Sequence, residues 1–304
     1  MAEPLVHIRN FRMDFGSQTV IRDLSFDVRA GETFGFLGSN GSGKTTTLRA
    51  LLGIYQPTSG VLHIDGKVFE PRDGARLGYL PEERGLYKKE PVLDVMVYFG
   101  RLKGLSRDAA AAWSRTYLER VALADKATTR LDKLSGGQQQ KIQLGVTIMN
   151  DPELLILDEP TQGFDPVNRR LLMDIIEEQK RAGATVIMVT HQMDEVERLC
   201  DRVVLLKDGT AEAYGTVEDV QDQYGGTVIR VACTGPLPTS ELFDVVSTDD
   251  TSAVLAPRAG VDLAAILHEL VATGVAVRSF TPVRTSLEEI FLRIYGSQND
   301  RAEA

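Results

Sequence analysis

The sequence predicts an α/β fold with a parallel sheet over about its first 220 residues and a small α+β domain after them. Three observations lead there. Short apolar runs of strand character alternate with helix-like stretches, one such run passes through a glycine-rich loop into a helix, and the composition changes near residue 222, beyond which no lysine occurs. At roughly 150 residues per domain, 304 residues fit two domains, each long enough to bury its own core. The expected division is 1–222 and 223–304.

Each element follows from its local pattern. Residues 5–28 alternate through Leu5, His7, Arg9 and Phe11, and again through Ile21, Leu24, Phe26 and Val28, which reads as short strands turning near Gly16 and Ser17. From Thr33 the order becomes strand, loop, helix: residues 34–37 are apolar, the next nine are rich in Gly and Ser, and 46–52 have helical composition. Buried strands are expected at 154–157, 185–189 and 203–206, with helix-like stretches such as 169–181 between them, and that alternation implies parallel pairing. Between 84 and 150 the strand signal gives way to helical segments at 109–123 and 137–149, a helical insertion in the α/β core. Past a turn at Tyr224, Gly225 and Gly226, strands are expected at 227–232, 252–256 and 276–280 and helices at 261–273 and 286–295.

Charge and composition exclude several classes. The net charge of −9 divides as −5 up to residue 222 and −4 after it, so neither part carries the basic excess of a nucleic-acid binder. The longest apolar runs, 95–99, 109–113 and 263–267, are five residues each, against the roughly 20 that a spanning helix needs. Met1, Ala2, Glu3 and Pro4 do not resemble a secretory leader, and two cysteines, Cys200 and Cys233, are too few for a disulfide scaffold, so a reducing cytosol is expected.

The residues that carry chemistry begin with Gly38-Ser39-Asn40-Gly41-Ser42-Gly43-Lys44-Thr45, which satisfies the phosphate-loop pattern in the strand-loop-helix context it requires. Glycines let the backbone wrap an anion, and successive N–H groups with the positive end of the following helix face it. Lys44 would reach the β- and γ-phosphates of a nucleotide, and the Thr45 hydroxyl would ligate Mg²⁺. The apolar run 154–157 ends in Asp158 and Glu159. Beside the phosphate loop, Asp158 could hold the Mg²⁺ shell, and Glu159 could sit where water attacks the γ-phosphate. Leu134-Ser135-Gly136-Gly137-Gln138 opens another helix, with Ser135 as a potential cap and a second anion-binding terminus.

The phosphate loop, Leu-Ser-Gly-Gly-Gln and Asp-Glu in this order, with Ser135 standing 91 positions after Lys44 and 23 before Asp158, resemble the nucleotide-binding subunit of ATP-binding cassette transporters over about residues 5–222. The resemblance implies a P-loop NTPase fold with a helical subdomain at about 84–150. It also implies Mg-ATP binding along Gly38, Ser39, Asn40, Gly41, Ser42, Gly43, Lys44, Thr45 and Thr46, with Ser135, Gly136, Gly137 and Gln138 closing on the phosphate loop of a second copy. Phe15 matches the aromatic that stacks on adenine; plain core packing is the alternative. His191 matches the switch histidine that contacts the γ-phosphate. Glu82 stands where the family usually has Gln, and a carboxylate there still binds Mg²⁺ or orients water. Asp165 matches the end of the D-loop, although Gln162, Gly163 and Phe164 replace the usual Ser, Ala and Leu.

Residues 84–99 lie where the family docks its membrane partner, and packing of Val95, Tyr98 and Phe99 inside the helical insertion is the competing reading. The last 80 or so residues resemble the accessory domain of type 2 exporter ATPases, chiefly through 286–292, with Thr285 in place of the usual proline. The reading is therefore an ATP-hydrolysing homodimer on the inner face of the membrane, powering export of an ion, drug or lipid-like substrate through a separate permease, with no nucleic-acid partner. A soluble ATPase acting on ribosomes or DNA is the alternative. A regulatory module that has lost hydrolysis is a third, against which the intact Glu159 argues.

Overall fold

The computed structural model describes residues 4–83 and 85–296; Met1, Ala2 and Glu3, part of the leader reading, and Arg84, in the expected docking stretch, lie outside them. The chain divides into two compact units, Met1–Thr216 and Val217–Ala304.

In the first unit, β1 (Val6–Phe15) and β2 (Gln18–Val28) form an antiparallel hairpin around Gly16 and Ser17. β3 (Thr33–Gly38) runs into α1 (Lys44–Leu51) through the glycine-rich loop. Next come β4 (Ser59–Ile64) and β5 (Leu77–Leu80), then the helical insertion of α2 (Val92–Leu102), α3 (Arg107–Arg120) and α4 (Gly136–Ile148). β6 (Leu154–Asp158), α5 (Pro166–Arg181), β7 (Thr185–Val189), α6 (Met193–Leu199), β8 (Arg202–Lys207) and β9 (Thr210–Thr216) complete it.

The sheet order is β4-β1-β2-β9-β8-β3-β7-β6-β5. Pairing is parallel among β8, β3, β7, β6 and β5, as the alternation predicts, and antiparallel within β4-β1-β2 and between β8 and β9. Every residue of β3, β6 and β7 is buried, which is why these strands read as unbroken apolar runs. The two halves of the sheet meet at β2 and β9 through a single ladder pair, Asp23 with Thr210. Their side chains nevertheless share one core, where Phe26 of β2 stacks on Phe34 of β3 at 5.2 Å between centroids. Fully burying a side chain of this size is worth about 1.5–3 kcal/mol.

The insertion packs helix on helix. Gly145 of α4 lets α3 approach, because a Cβ there would stand 2.4 Å from the Tyr117 ring, and the Tyr117 hydroxyl donates to Lys141 O at 2.7 Å.

The second unit begins with α7 (Val217–Tyr224), so residue 222, where the composition shifts, lies inside a helix. β10 (Thr227–Thr234), β11 (Phe243–Thr248), β12 (Ser252–Pro257) and β13 (Ala276–Arg284) form an antiparallel sheet of order β11-β12-β10-β13. α8 (Leu263–Ala272) contributes Ile266 and Leu270 to a core with Ile229, Val231, Phe243 and Leu255. α9 (Leu287–Gly296) follows β13. Thr285 is buried, and both its N–H, at 3.0 Å, and its hydroxyl, at 3.1 Å, donate to Gly226 O. A proline would supply neither bond.

Candidate functional site

The phosphate loop leaves β3 at Gly38 and enters α1 at Lys44. Gly43 has φ of 106°, and a Cβ on it would come within 2.3 Å of Ile21 Cδ1, so only glycine fits where the loop turns against β2. No side chain caps α1, and its first turn holds no acidic residue. The buried Lys44 donates through Nζ to Gly38 O at 2.7 Å and Ser39 O at 3.0 Å. Burial pulls its pKa below the ordinary value, opposed by Glu159, Asp158 and Glu82.

β6 brings its two carboxylates to the same place. The Thr45 hydroxyl, at the start of α1, lies 3.4 Å from Asp158 Oδ2. Burial and the nearby Glu82 and Glu159 raise the Asp158 pKa to about 6, against the opposing pull of Lys44 and Thr45. Glu159 sits at φ of 50°, in the left-handed region that non-glycine residues seldom adopt. His191 Nδ1 is 2.9 Å from Glu159 Oε1, within hydrogen-bonding distance. The other oxygen, Glu159 Oε2, is buried with no hydrogen-bond partner, as is Ser42 Oγ.

Asn40, Gly41, Gly43, Lys44, Thr45, Thr46, Glu82, Asp158 and Glu159, with Val20 from β2, line one open cleft of about 790 Å³. The cleft therefore gathers a lysine, the Thr45 and Thr46 hydroxyls, three carboxylates and a glycine-rich backbone, with the unpartnered Glu159 Oε2 on one of those carboxylates. Among the described residues no three His, Cys, Asp or Glu side chains converge as a metal cage. The donors suit Mg²⁺ nonetheless, since that ion takes one or two protein oxygens and completes its shell with phosphate and water.

Phe15 does not line that cleft; it is 44% exposed and edge-on to Tyr55 at 5.4 Å. It is not core.

Ser135, Gly137 and Gln138 line a different cleft, together with Lys141, Phe164 and Asp165. No residue lines both. Here the helix start is closed by its own side chains: Ser135 Oγ accepts from Gln138 N at 3.3 Å and Gln138 Oε1 accepts from Ser135 N at 2.9 Å. Asp165 caps α5, accepting from Val167 N and Asn168 N at 3.0 Å each, and those bonds with the Asn168 amide hold its carboxyl below the ordinary value. Phe164, where the family usually has Leu, lies over Gly137, so that a Cβ there would stand 3.3 Å from its ring.

Of the apolar stretch after Arg84, Val95 is core, whereas Tyr98 is 46% exposed and meets Tyr87 at 5.6 Å and Phe99 at 5.5 Å.

Sequence reasoning missed four side chains that brace the segment from Glu159 to Thr161. Gln140 Nε2 donates to Glu159 O at 3.2 Å and Pro160 O at 3.1 Å. Thr161 Oγ1 donates to the buried Glu195 Oε1 at 2.5 Å, and Arg169 Nε donates to the same oxygen at 2.6 Å. Nothing in their spacing marks them.

Comparison with known proteins agrees with this geometry. Residues 21–162 match the family described as ABC transporter, and 215–295 match the ATP-binding protein DrrA1-3-like, C-terminal domain. An ABC transporter ATP-binding protein of Methanocaldococcus jannaschii is 44% identical over 72% of this chain and 80% of its own length. The linearmycin resistance ATP-binding protein of Bacillus subtilis is 30% identical over 96% of this chain and 98% of its own. The Nod factor export ATP-binding protein I of Paraburkholderia xenovorans is 34% identical over 98% and 99%. Among solved structures, the ATP binding subunit of an ABC transporter aligns with a TM-score of 0.66 at 29% identity, covering 72% of this chain and 93% of that one.

Proposed function

The chain belongs to the ABC transporter family, among its ATP-binding proteins, and on that premise we propose that it hydrolyses ATP as a homodimer and so powers an exporter through a separate integral membrane permease. Lys44 exchanges the carbonyls of Gly38 and Ser39 for phosphate oxygens, and the loop amides from Gly38 to Thr46 cradle the anion. Thr45 and Asp158 hold Mg²⁺, with Glu82 beside them; the ion, when bound, offsets charge on the phosphate oxygens. Glu159 accepts the proton of the attacking water, oriented by His191, which also faces the γ-phosphate. Phe15 stacks on adenine.

The Ser135–Gln138 and Asp165 cleft is separate from the phosphate cleft in one chain, so we assign it to the nucleotide of a second copy. Export as the direction is supported by the names of two relatives, one a Nod factor export protein and one a linearmycin resistance protein. Among the described residues no helix is long and apolar enough to cross a membrane, which fits a subunit held at the inner face through the exposed Tyr87 and Tyr98. The second unit, with no phosphate-binding motif, regulates or stabilises the dimer.

One observation carries the proposal: Glu159 Oε2, buried and unpartnered, lies in the cleft that holds Lys44 and Asp158. Glu159→Gln keeps the shape and removes the base, for which a loss of about 10²- to 10⁴-fold is expected. Turnover should collapse while ATP binding persists and size-exclusion mass with Mg-ATP reports a trapped dimer. Near wild-type turnover would remove Glu159 from the role.

A further inference from the structure

Glu159 is held from two sides. Its N–H donates to Val189 O at 2.8 Å, which ties it to β7. On the other side, the carbonyls of Glu159 and Pro160 share a single side-chain donor, the amide of Gln140. Within the turn the Glu159 carbonyl also accepts from Gln162 N at 3.3 Å, but residue 160 is proline and offers no N–H, and for its carbonyl the Gln140 amide is the donor, brought from outside the loop. Gln140 is that donor: it is buried, it belongs to α4, and it does not line the phosphate cleft. Thr161, the next residue, is anchored independently by Glu195.

We propose that Gln140 is a positioning residue for hydrolysis, whose amide clamps the carbonyls of Glu159 and Pro160 and so keeps the Glu159 carboxylate presented to the cleft. This rests on the reading of Glu159 as the base. The clamp comes from the helix that begins at Ser135, so the helix assigned to the partner copy's nucleotide is tied physically to the carboxylate of its own cleft.

Gln140→Met keeps length and volume and removes the donor; Gln140→Glu keeps length and sets a carboxylate against two carbonyls. Steady-state hydrolysis by either variant should show kcat lowered about 10- to 100-fold, the loss typical of a misplaced catalytic group. KM, and the Kd for a fluorescent ATP analogue, should stay within about twofold. Added to Glu159→Gln, the Gln140→Met change should leave the residual turnover unchanged, because the group it positions is already gone. Wild-type kcat in a folded Gln140→Met protein overturns the proposal, as does a further multiplicative loss in the double variant. If circular dichroism shows Gln140→Met unfolded, the same outcomes are read on Gln140→Glu. Full turnover by Glu159→Gln alone would sink the reading of the base, a failure distinct from that of the clamp.

Discussion

Two helix starts face the two clefts of the first unit, and they are built in opposite ways. α1 begins at an uncapped glycine with no acidic residue in its first turn, whereas α4 begins with a capping box that already uses Ser135 and Gln138 on each other. Both helix dipoles favour an anion. Of the two, only α1 has no side-chain cap, which fits the phosphate site proposed there, while the other start is closed by its own side chains. A helix start with neither cap nor first-turn acid is thus a better guide to the anion than a helix start as such: α2 and α6 also lack a cap, but carry Asp94, and Asp194 with Glu195, in their first turns.

The largest expected effect tests the open side through its acidity. Asp158, with an ordinary pKa of 3.8 raised to about 6, keeps its proton to higher pH in the folded than in the unfolded chain. Its stabilising contribution is full below pH 3.8 and is lost as pH rises through about 6. The difference is on the order of 3 kcal/mol. Melting followed from pH 4.5 to 8 should show this decline, and Asp158→Asn should flatten it; an unchanged profile would mean the carboxylate is not strained by its neighbours. Next, Lys44→Ala would remove the proposed charge-assisted contact to phosphate, worth about 1.5–3 kcal/mol, so a fluorescent ATP analogue should bind roughly 10- to 100-fold more weakly. Equal affinity would erase the contrast between the two starts.

Gly43→Ala tests the geometry of the open start. It imposes about 1–2 kcal/mol of left-handed strain and in addition pushes on Ile21, which thermal unfolding should register. On the closed side, Ser135→Ala should cost about 1 kcal/mol of stability, the usual worth of a cap. It should leave the affinity of the isolated chain for nucleotide where it was; a fall in that affinity would merge the two clefts into one. The smallest effect is expected from Tyr98→Asp, a surface change within about 0.5 kcal/mol. Basal hydrolysis should persist while co-purification with an integral membrane protein falls.

The open start was legible because its glycines, Lys44 and Thr45 are contiguous and sit between a fully buried strand and a helix. β6, β7 and β8 were legible for the same reason of burial. β5 was not: it has four residues, one of them Gly78, where a Cβ would meet Thr147 O at 2.5 Å, so close packing removed the side chain that would have marked a strand. β11 was hidden because only Phe243 is buried along it, leaving no alternation to read. The clamp by Gln140 was invisible too, since its partners are backbone carbonyls and carry no residue identity. What chain order could not convey was which helix start was already occupied by its own side chains.

The single ladder pair between β2 and β9 gives the sheet a mechanical seam. Phe15 rides on the hairpin side of it and the phosphate loop on the parallel side, with Gly209 O accepting from Arg22 N at 2.9 Å across the join. A ligand that stacks its base on Phe15 and seats its phosphates at Lys44 therefore staples one ribbon to the other. Nucleotide bound in the proposed way would then stiffen the join, and amide exchange along β2 and β9 should slow when the cleft is filled.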